Sequence, residues 1–172
     1  IENLGSMDVL CTDKTGTLTV GEMTLHSATS PDAVASPEVL RLAYLNAAYE
    51  TGIDNPLDAA IVAAGERAQL DCAGTRKIDE IPYDFQRKRL TIVVAPDTSA
   101  MHLIITKGAF DSVLRACTQW RRRDELRSGQ PADRSRFEAW HAAQGAEGLR
   151  VLALATRSVE PRPSLGVADE AE

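Results

Sequence analysis

Two strand-length apolar runs, residues 89–95 (Arg-Leu-Thr-Ile-Val-Val-Ala) and 101–106 (Met-His-Leu-Ile-Ile-Thr), are separated only by a short turn opening on Pro96-Asp97-Thr98-Ser99. A link this short joins antiparallel neighbours, because a parallel pair needs a crossover of about a dozen residues or more. The two runs are therefore expected to form a hairpin. Residues 76–82 read as another strand, residues 149–156 (Leu-Arg-Val-Leu-Ala-Leu-Ala-Thr) as a final buried one, and residues 23–28 alternate in strand fashion. Helical signals fall between them. Ser36 caps and Pro37 opens a helix over 37–50 in which Val39, Leu40, Ala43 and Ala47 share a face, and Gly52 ends it. Asn55 and Pro56 open a second, with Leu57, Ile61 and Ala64 on one face. Further helices are expected over 109–119 and 132–144, with a polar loop between them. The class is α+β: an antiparallel twisted sheet flanked by helices. Residues 158–172, with their prolines and acidic residues and little apolar pattern, read as a linker or tail.

Charge and composition remove several function classes. The net charge of −6 and sequence pI near 5.1 do not suit a chain that grips nucleic acid. The short run Arg121-Arg122-Arg123 reads as a solvated helix end or loop. Cys11, Cys72 and Cys117 are isolated, as are His26, His102 and His141, so neither a zinc site nor a CxxC redox motif is present. Three unpaired cysteines fit a reducing compartment. No run approaches the ~18 consecutive apolar residues of a membrane span. The opening residues Ile1-Glu2-Asn3-Leu4-Gly5 lack the basic and apolar regions of a signal peptide and read as the interior of a longer chain.

Chemistry concentrates first at Asp13-Lys14-Thr15-Gly16-Thr17-Leu18-Thr19, which follows an apolar strand at residues 7–12. A carboxylate at the carboxyl end of a buried strand projects into the crevice where α/β sheets do chemistry. Gly16 admits a phosphate close to the backbone, Thr15 and Thr17 offer hydroxyls, and an aspartate can attack a phosphoryl group to give an acyl phosphate. A metal ion must then offset the accumulated negative charge. This heptapeptide resembles, throughout, the phosphorylation signature of P-type ATPases. It also resembles the motif of haloacid-dehalogenase phosphatases, in which a second aspartate two residues on acts as acid and base. Here that position is Thr15, which cannot move a proton at neutral pH, so the acyl phosphate would persist.

The resemblance implies catalytic roles for Asp13, Lys14 and Thr15, with Asp13 and Thr15 near the Mg²⁺ that accompanies ATP. Residues 1–22 would then begin the phosphorylation domain and hinge, and residues 23–157 would form the nucleotide-binding domain. The segment Asp79-Glu80-Ile81-Pro82-Tyr83-Asp84-Phe85-Gln86-Arg87-Lys88-Arg89-Leu90 is similar to the family segment whose phenylalanine stacks on adenine. Phe85 therefore has two readings, a base platform or a strand-end core aromatic. Arg87, Lys88 and Arg89 supply cations near the phosphates, with one or two facing solvent. Lys107 and Gly108, within Thr106-Lys107-Gly108-Ala109, resemble the family's Lys-Gly-Ala element, the lysine acting as a point charge for the nucleotide. Gly148-Leu149-Arg150-Val151-Leu152-Ala153 resembles the later element in which an arginine, here Arg150, forks onto the phosphates while an apolar residue, Leu152, lines the adenine slot. Asn55-Pro56-Leu57-Asp58 matches the helix start where an acidic residue sits beside the adenine amino group, directly or through water. Helix-dipole stabilisation is the other reading of Asp58. No GxxxxGK[ST] loop is present.

The Asp79–Phe85 segment followed by a basic triplet is closest, within the family, to bacterial magnesium-transporting pumps, with proton and calcium pumps or a dehalogenase-type phosphatase as the alternatives. The resemblance implies a cytoplasmic ATP-binding fragment of a membrane protein. Its partners are ATP and the phosphorylation, actuator and membrane domains of the same pump. It also implies that the fragment binds ATP with little or no turnover, at roughly −4 to −8 kcal/mol.

Overall fold

A computed structural model describes residues 23–52, 55–122 and 125–170. The strand expected at 7–12 and the motif holding Asp13, Lys14 and Thr15 lie outside the described residues.

Four strands form one antiparallel sheet in the order β1-β2-β3-β6: β1 (Thr75–Asp84), β2 (Arg89–Pro96), β3 (His102–Ala109) and β6 (Leu152–Val159). The hairpin expected between β2 and β3 forms, with Arg89 opposite Gly108 and Val94 opposite Leu103. Both faces of β2 are covered, which is why it reads as an unbroken apolar run rather than an alternating one. Leu90, Ile92 and Val94 pack with Ile105 of β3 and with Leu45. On the opposite face, Val93 packs with Ile104, Val159 and Leu165.

Helices α1 (Pro37–Tyr49) and α2 (Pro56–Arg67) lie on the first face. Both start as their sequences direct. Ser36 Oγ accepts the Val39 amide at 3.3 Å and Asn55 Oδ1 accepts the Leu57 amide at 3.0 Å, each with proline at the first helical position. The helices approach closely at Gly65, where a Cβ would fall 2.2 Å from the Tyr44 ring. Asn46, fully buried, donates its amide to the Ile105 carbonyl at 2.8 Å and fixes α1 against β3. Glu50, one turn further on, is thereby brought to the end of β3. Helices α3 (Phe110–Ala116) and α4 (Pro131–Ala146) are linked by the stacked rings of Phe110 and His141, 4.3 Å apart.

Three segments differ from expectation. Residues 23–28 pair with no strand, and the neighbouring chain makes only an isolated bridge between Thr29 and Ala35. Alternation alone does not make a strand where no edge accepts it. The polar loop after α3 contains a two-stranded hairpin, β4 (Gln119–Arg122) and β5 (Glu125–Ser128). Its β5 is exposed throughout, so no apolar period marked it. The chain after β6 returns over the sheet: Leu165 is buried, its amide donates to Asp79 Oδ2 at 2.8 Å, and a 3-10 turn follows at Val167–Glu170. Among the described residues, no helix is long and apolar enough to cross a membrane.

Candidate functional site

Strand register gathers most of the candidate residues at one end of the sheet. Asp84 pairs with Arg89, Arg89 with Gly108, Lys107 with Leu154, and Ala109 with Leu152. The β1–β2 turn, the end of β3 and the start of β6 therefore meet there. That end carries Phe85, Arg87, Lys88, Arg89, Lys107, Gly108 and Leu152, with Arg150 two residues before β6. The first turn of α2 adds Asp58.

The turn bearing Phe85 is held from several directions. Asp84 Oδ1 accepts the amides of Gln86 at 2.9 Å and Arg87 at 2.6 Å, Lys88 adopts a φ of +52°, and the Ala109 amide donates to the Lys88 carbonyl at 2.9 Å. Ser112 Oγ donates to the Arg87 carbonyl. Gly108 makes this approach feasible, since a Cβ there would lie 2.4 Å from the Lys88 oxygen. On this fixed turn Phe85 is 85% exposed, and its ring meets the Tyr83 ring edge-on with centroids 5.4 Å apart. The strand-end core reading of Phe85 does not hold.

Lys107 points towards the helices and is buried. Its ammonium pairs with Asp58 Oδ1 and lies 3.4 Å from Glu50 Oε2. The other Asp58 oxygen accepts from Asn55 Nδ2 at 3.2 Å, so the helix cap also orients the carboxylate. Leu152, half-buried, lies against Ala43, Ala47 and Ile61 on the same face. Two carboxylates thus share one ammonium in a largely dry setting. Burial, followed by hydrogen bonding to Asp58, pushes the Glu50 carboxyl up to about 7, against the opposing pull of Lys107. Glu50 carries no motif signal.

The basic triplet divides. Lys88 is exposed, as is Arg150. Arg87 Nη1 and Arg89 Nε both reach Glu170 Oε2, at 2.5 and 2.9 Å, and Arg89 shares its sheet face with Thr91 rather than with Lys107. A groove of about 400 Å³ opens at the opposite end of the sheet, lined by Arg41, Gly74, Pro96, Thr98, Met101 and Ser158. With one cation and neither a carboxylate nor an aromatic ring, it offers none of the chemistry gathered around Lys107. Among the described residues, no group of three or more His, Cys, Asp or Glu could hold a metal ion.

The shift at Glu50 carries a stability consequence. The native carboxyl keeps its proton to about pH 7 whereas an unfolded one releases it near 4.5. The stability it contributes is complete below the lower value and is lost as pH rises through the upper one. Glu50→Gln is expected to remove about 1 kcal/mol of that decline. Urea unfolding of both proteins at pH 5 and pH 8 checks this: the wild type should lose more stability between the two than the variant.

The family model for the cytoplasmic domain N of P-type ATPases matches residues 42–172. The chain is 40% identical over 164 residues to a magnesium-transporting ATPase, P-type 1, of Salmonella typhimurium, covering 94% of this chain and 18% of that one. It is 38% identical over 164 residues to the protein of that name from Escherichia coli K12, with the same coverage. It is 31% identical over 174 residues to calcium-transporting ATPase 1 of Bacillus cereus, covering 90% of this chain and 19% of that protein. The chain thus spans about a fifth of the length of these relatives.

Proposed function

The chain belongs to the P-type ATPases, and on that premise we propose that it binds ATP for a bacterial membrane pump that transports magnesium ions through an aspartyl-phosphate intermediate. The observation that carries the nucleotide reading is the buried Asp58–Lys107 pair at the same end of the sheet as the exposed Phe85. An adenine edge presents an amino donor next to a ring-nitrogen acceptor. A carboxylate next to an ammonium is its complement. Guanine presents an acceptor and then a donor at the same positions, so it meets the pair in the wrong order. Phe85 supplies a stacking platform and Leu152 an apolar side chain on the Lys107 face of the sheet, while Gly108, on the other face, lets the Lys88 carbonyl pass and so holds the turn.

Lys107 accordingly serves the base rather than the phosphates. The exposed cations Lys88 and Arg150 are left for the triphosphate, where arginine suits two parallel hydrogen bonds. In the whole pump, an Asp13 carboxylate oxygen would attack the γ-phosphorus in line. The bond from that phosphorus to the β–γ bridging oxygen breaks and ADP departs with the bond's electrons. Thr15 provides no acid or base, so the acyl phosphate survives long enough to drive a change of shape. Mg²⁺, in the setting of Asp13 and Thr15, supplies charge neutralisation. The choice of magnesium rests on identities of 38–40% to relatives bearing that name, against 31% to one named for calcium.

Calorimetric titration of the chain with ATP and GTP tests the nucleotide reading. ATP should bind with a Kd between micromolar and millimolar, and GTP about tenfold or more weakly. Equal binding of the two would remove the recognition role of Asp58 and Lys107. Absence of heat with either at millimolar concentration would overturn the proposal as a whole.

A further inference from the structure

Glu170 lies far from any motif, yet its carboxylate is fully buried and gathers three donors from the β1–β2 hairpin. Arg87 Nη1 lies at 2.5 Å, Arg89 Nε at 2.9 Å and Thr91 Oγ1 at 2.6 Å. Each donor is itself held in place. Arg87 Nη2 donates to the Pro82 carbonyl at 2.9 Å, Arg89 Nη1 to the Ser112 carbonyl at 3.3 Å, and the Thr91 and Thr106 hydroxyls lie 2.7 Å apart. The turn that delivers Glu170 is anchored from the sheet as well. Arg157 donates to the Asp169 carbonyl at 3.3 Å, and Asp169 Oδ2 accepts the Gly166 amide at 2.8 Å.

Arg87 belongs to the same four-residue turn as Phe85, and Arg89 begins the strand that leaves it. We infer that Glu170 is a positioning residue for nucleotide binding: through Arg87 and Arg89, the segment following β6 sets the pose of the Phe85 turn. This rests on the nucleotide reading above. Buried charge-assisted bonds of this kind hold geometry tightly, and among the described residues the other carboxylate paired with Arg87, that of Asp84, is 3.9 Å away and far more exposed. Because coupling between two positions is reciprocal, a nucleotide that orders the turn must also order residues 165–170.

The test uses the 172-residue chain, ATP as the titrant, and amide hydrogen exchange as a second readout. In the wild type, ATP should slow exchange both in the turn at 85–88 and at 165–170. Glu170→Gln should weaken ATP binding about tenfold, speed exchange in the turn and abolish the ATP-dependent protection of 165–170. Glu170→Asp should restore much of each. If Glu170→Gln does not fold, Thr91→Val, which puts a methyl in place of the hydroxyl that bonds Glu170 and Thr106, should weaken ATP binding two- to fivefold and loosen the turn.

Wild-type affinity in a folded Glu170→Gln or Thr91→Val protein overturns the positioning role and leaves the nucleotide reading standing. So does tighter binding, which would mean that Glu170 masks the arginines from phosphate. Failure of the wild type to bind ATP overturns both.

Discussion

Phe85→Ala is expected to weaken ATP binding tenfold or more while leaving the unfolding midpoint unchanged. Phe85 is 85% exposed and, among the described residues, its ring meets one other aromatic ring, the edge of Tyr83, so removing it opens no cavity in the core. Exposed substitutions of this kind shift stability by no more than about 0.5 kcal/mol. A base stacked on an aromatic ring is worth about 1–3 kcal/mol, which corresponds to roughly 5- to 150-fold in affinity. Stacking accepts any base, so the variant should lose affinity for ATP and for GTP in similar proportion and keep its preference between them. Phe85→Tyr, which retains a ring, should bind nearly as the wild type does. Calorimetry of the three proteins with both nucleotides, beside thermal melts, reads all of this. An alanine variant that binds ATP normally would show that the ring is an exposed apolar residue without a role, and the base would have to be sought away from the turn.

What could be read in advance follows the range over which each signal acts. The β2–β3 hairpin, the Ser36 and Asn55 caps and the chain order of the four sheet strands and of α1 to α4 depend on neighbours a few residues apart, and these were legible. Gly108 was legible too, as part of a local motif, although the reason for it is tertiary: the Lys88 carbonyl passes where a Cβ would stand. The β4–β5 hairpin was not legible, because a fully exposed strand leaves no apolar period. The partners of the cations were the least legible. Arg87 and Arg89 sit beside Phe85 in sequence, which suggested phosphate contacts, but Glu170 takes them from 83 and 81 residues away. Glu50 reaches Lys107 across 57 residues. An acidic residue in an acidic tail and one at a helix end look like ordinary solvated charges until the fold brings them to a buried cation.

Lys107→Met should be the most destabilising single change in the candidate site, and its cost should depend on pH. The ammonium is buried between the carboxylates of Asp58 and Glu50, each of which is also largely shielded from solvent. Methionine fills most of the volume but leaves two carboxylates facing each other without a cation. Removing one partner from a buried ionic cluster costs about 3–5 kcal/mol. Lys107 is also what holds Glu50 down, opposing burial and the Asp58 hydrogen bond that already raise its carboxyl to about 7. Without the lysine, Glu50 should keep its proton to still higher pH. The native state then binds a proton that the unfolded chain has released, so stability falls as pH rises, from about 4.5 through and beyond the wild-type value. The deficit of Lys107→Met relative to wild type should therefore be smallest near pH 5 and largest near pH 8, in urea unfolding at the two values. Adding Glu50→Gln to the variant removes one of the two opposed charges and should recover part of the loss at pH 8 and little at pH 5. A deficit that is independent of pH, or unaffected by the second substitution, would mean that Lys107 stabilises through its packed methylene chain rather than by joining the two carboxylates. Its role in reading the base edge beside Asp58 would then lose its electrostatic footing.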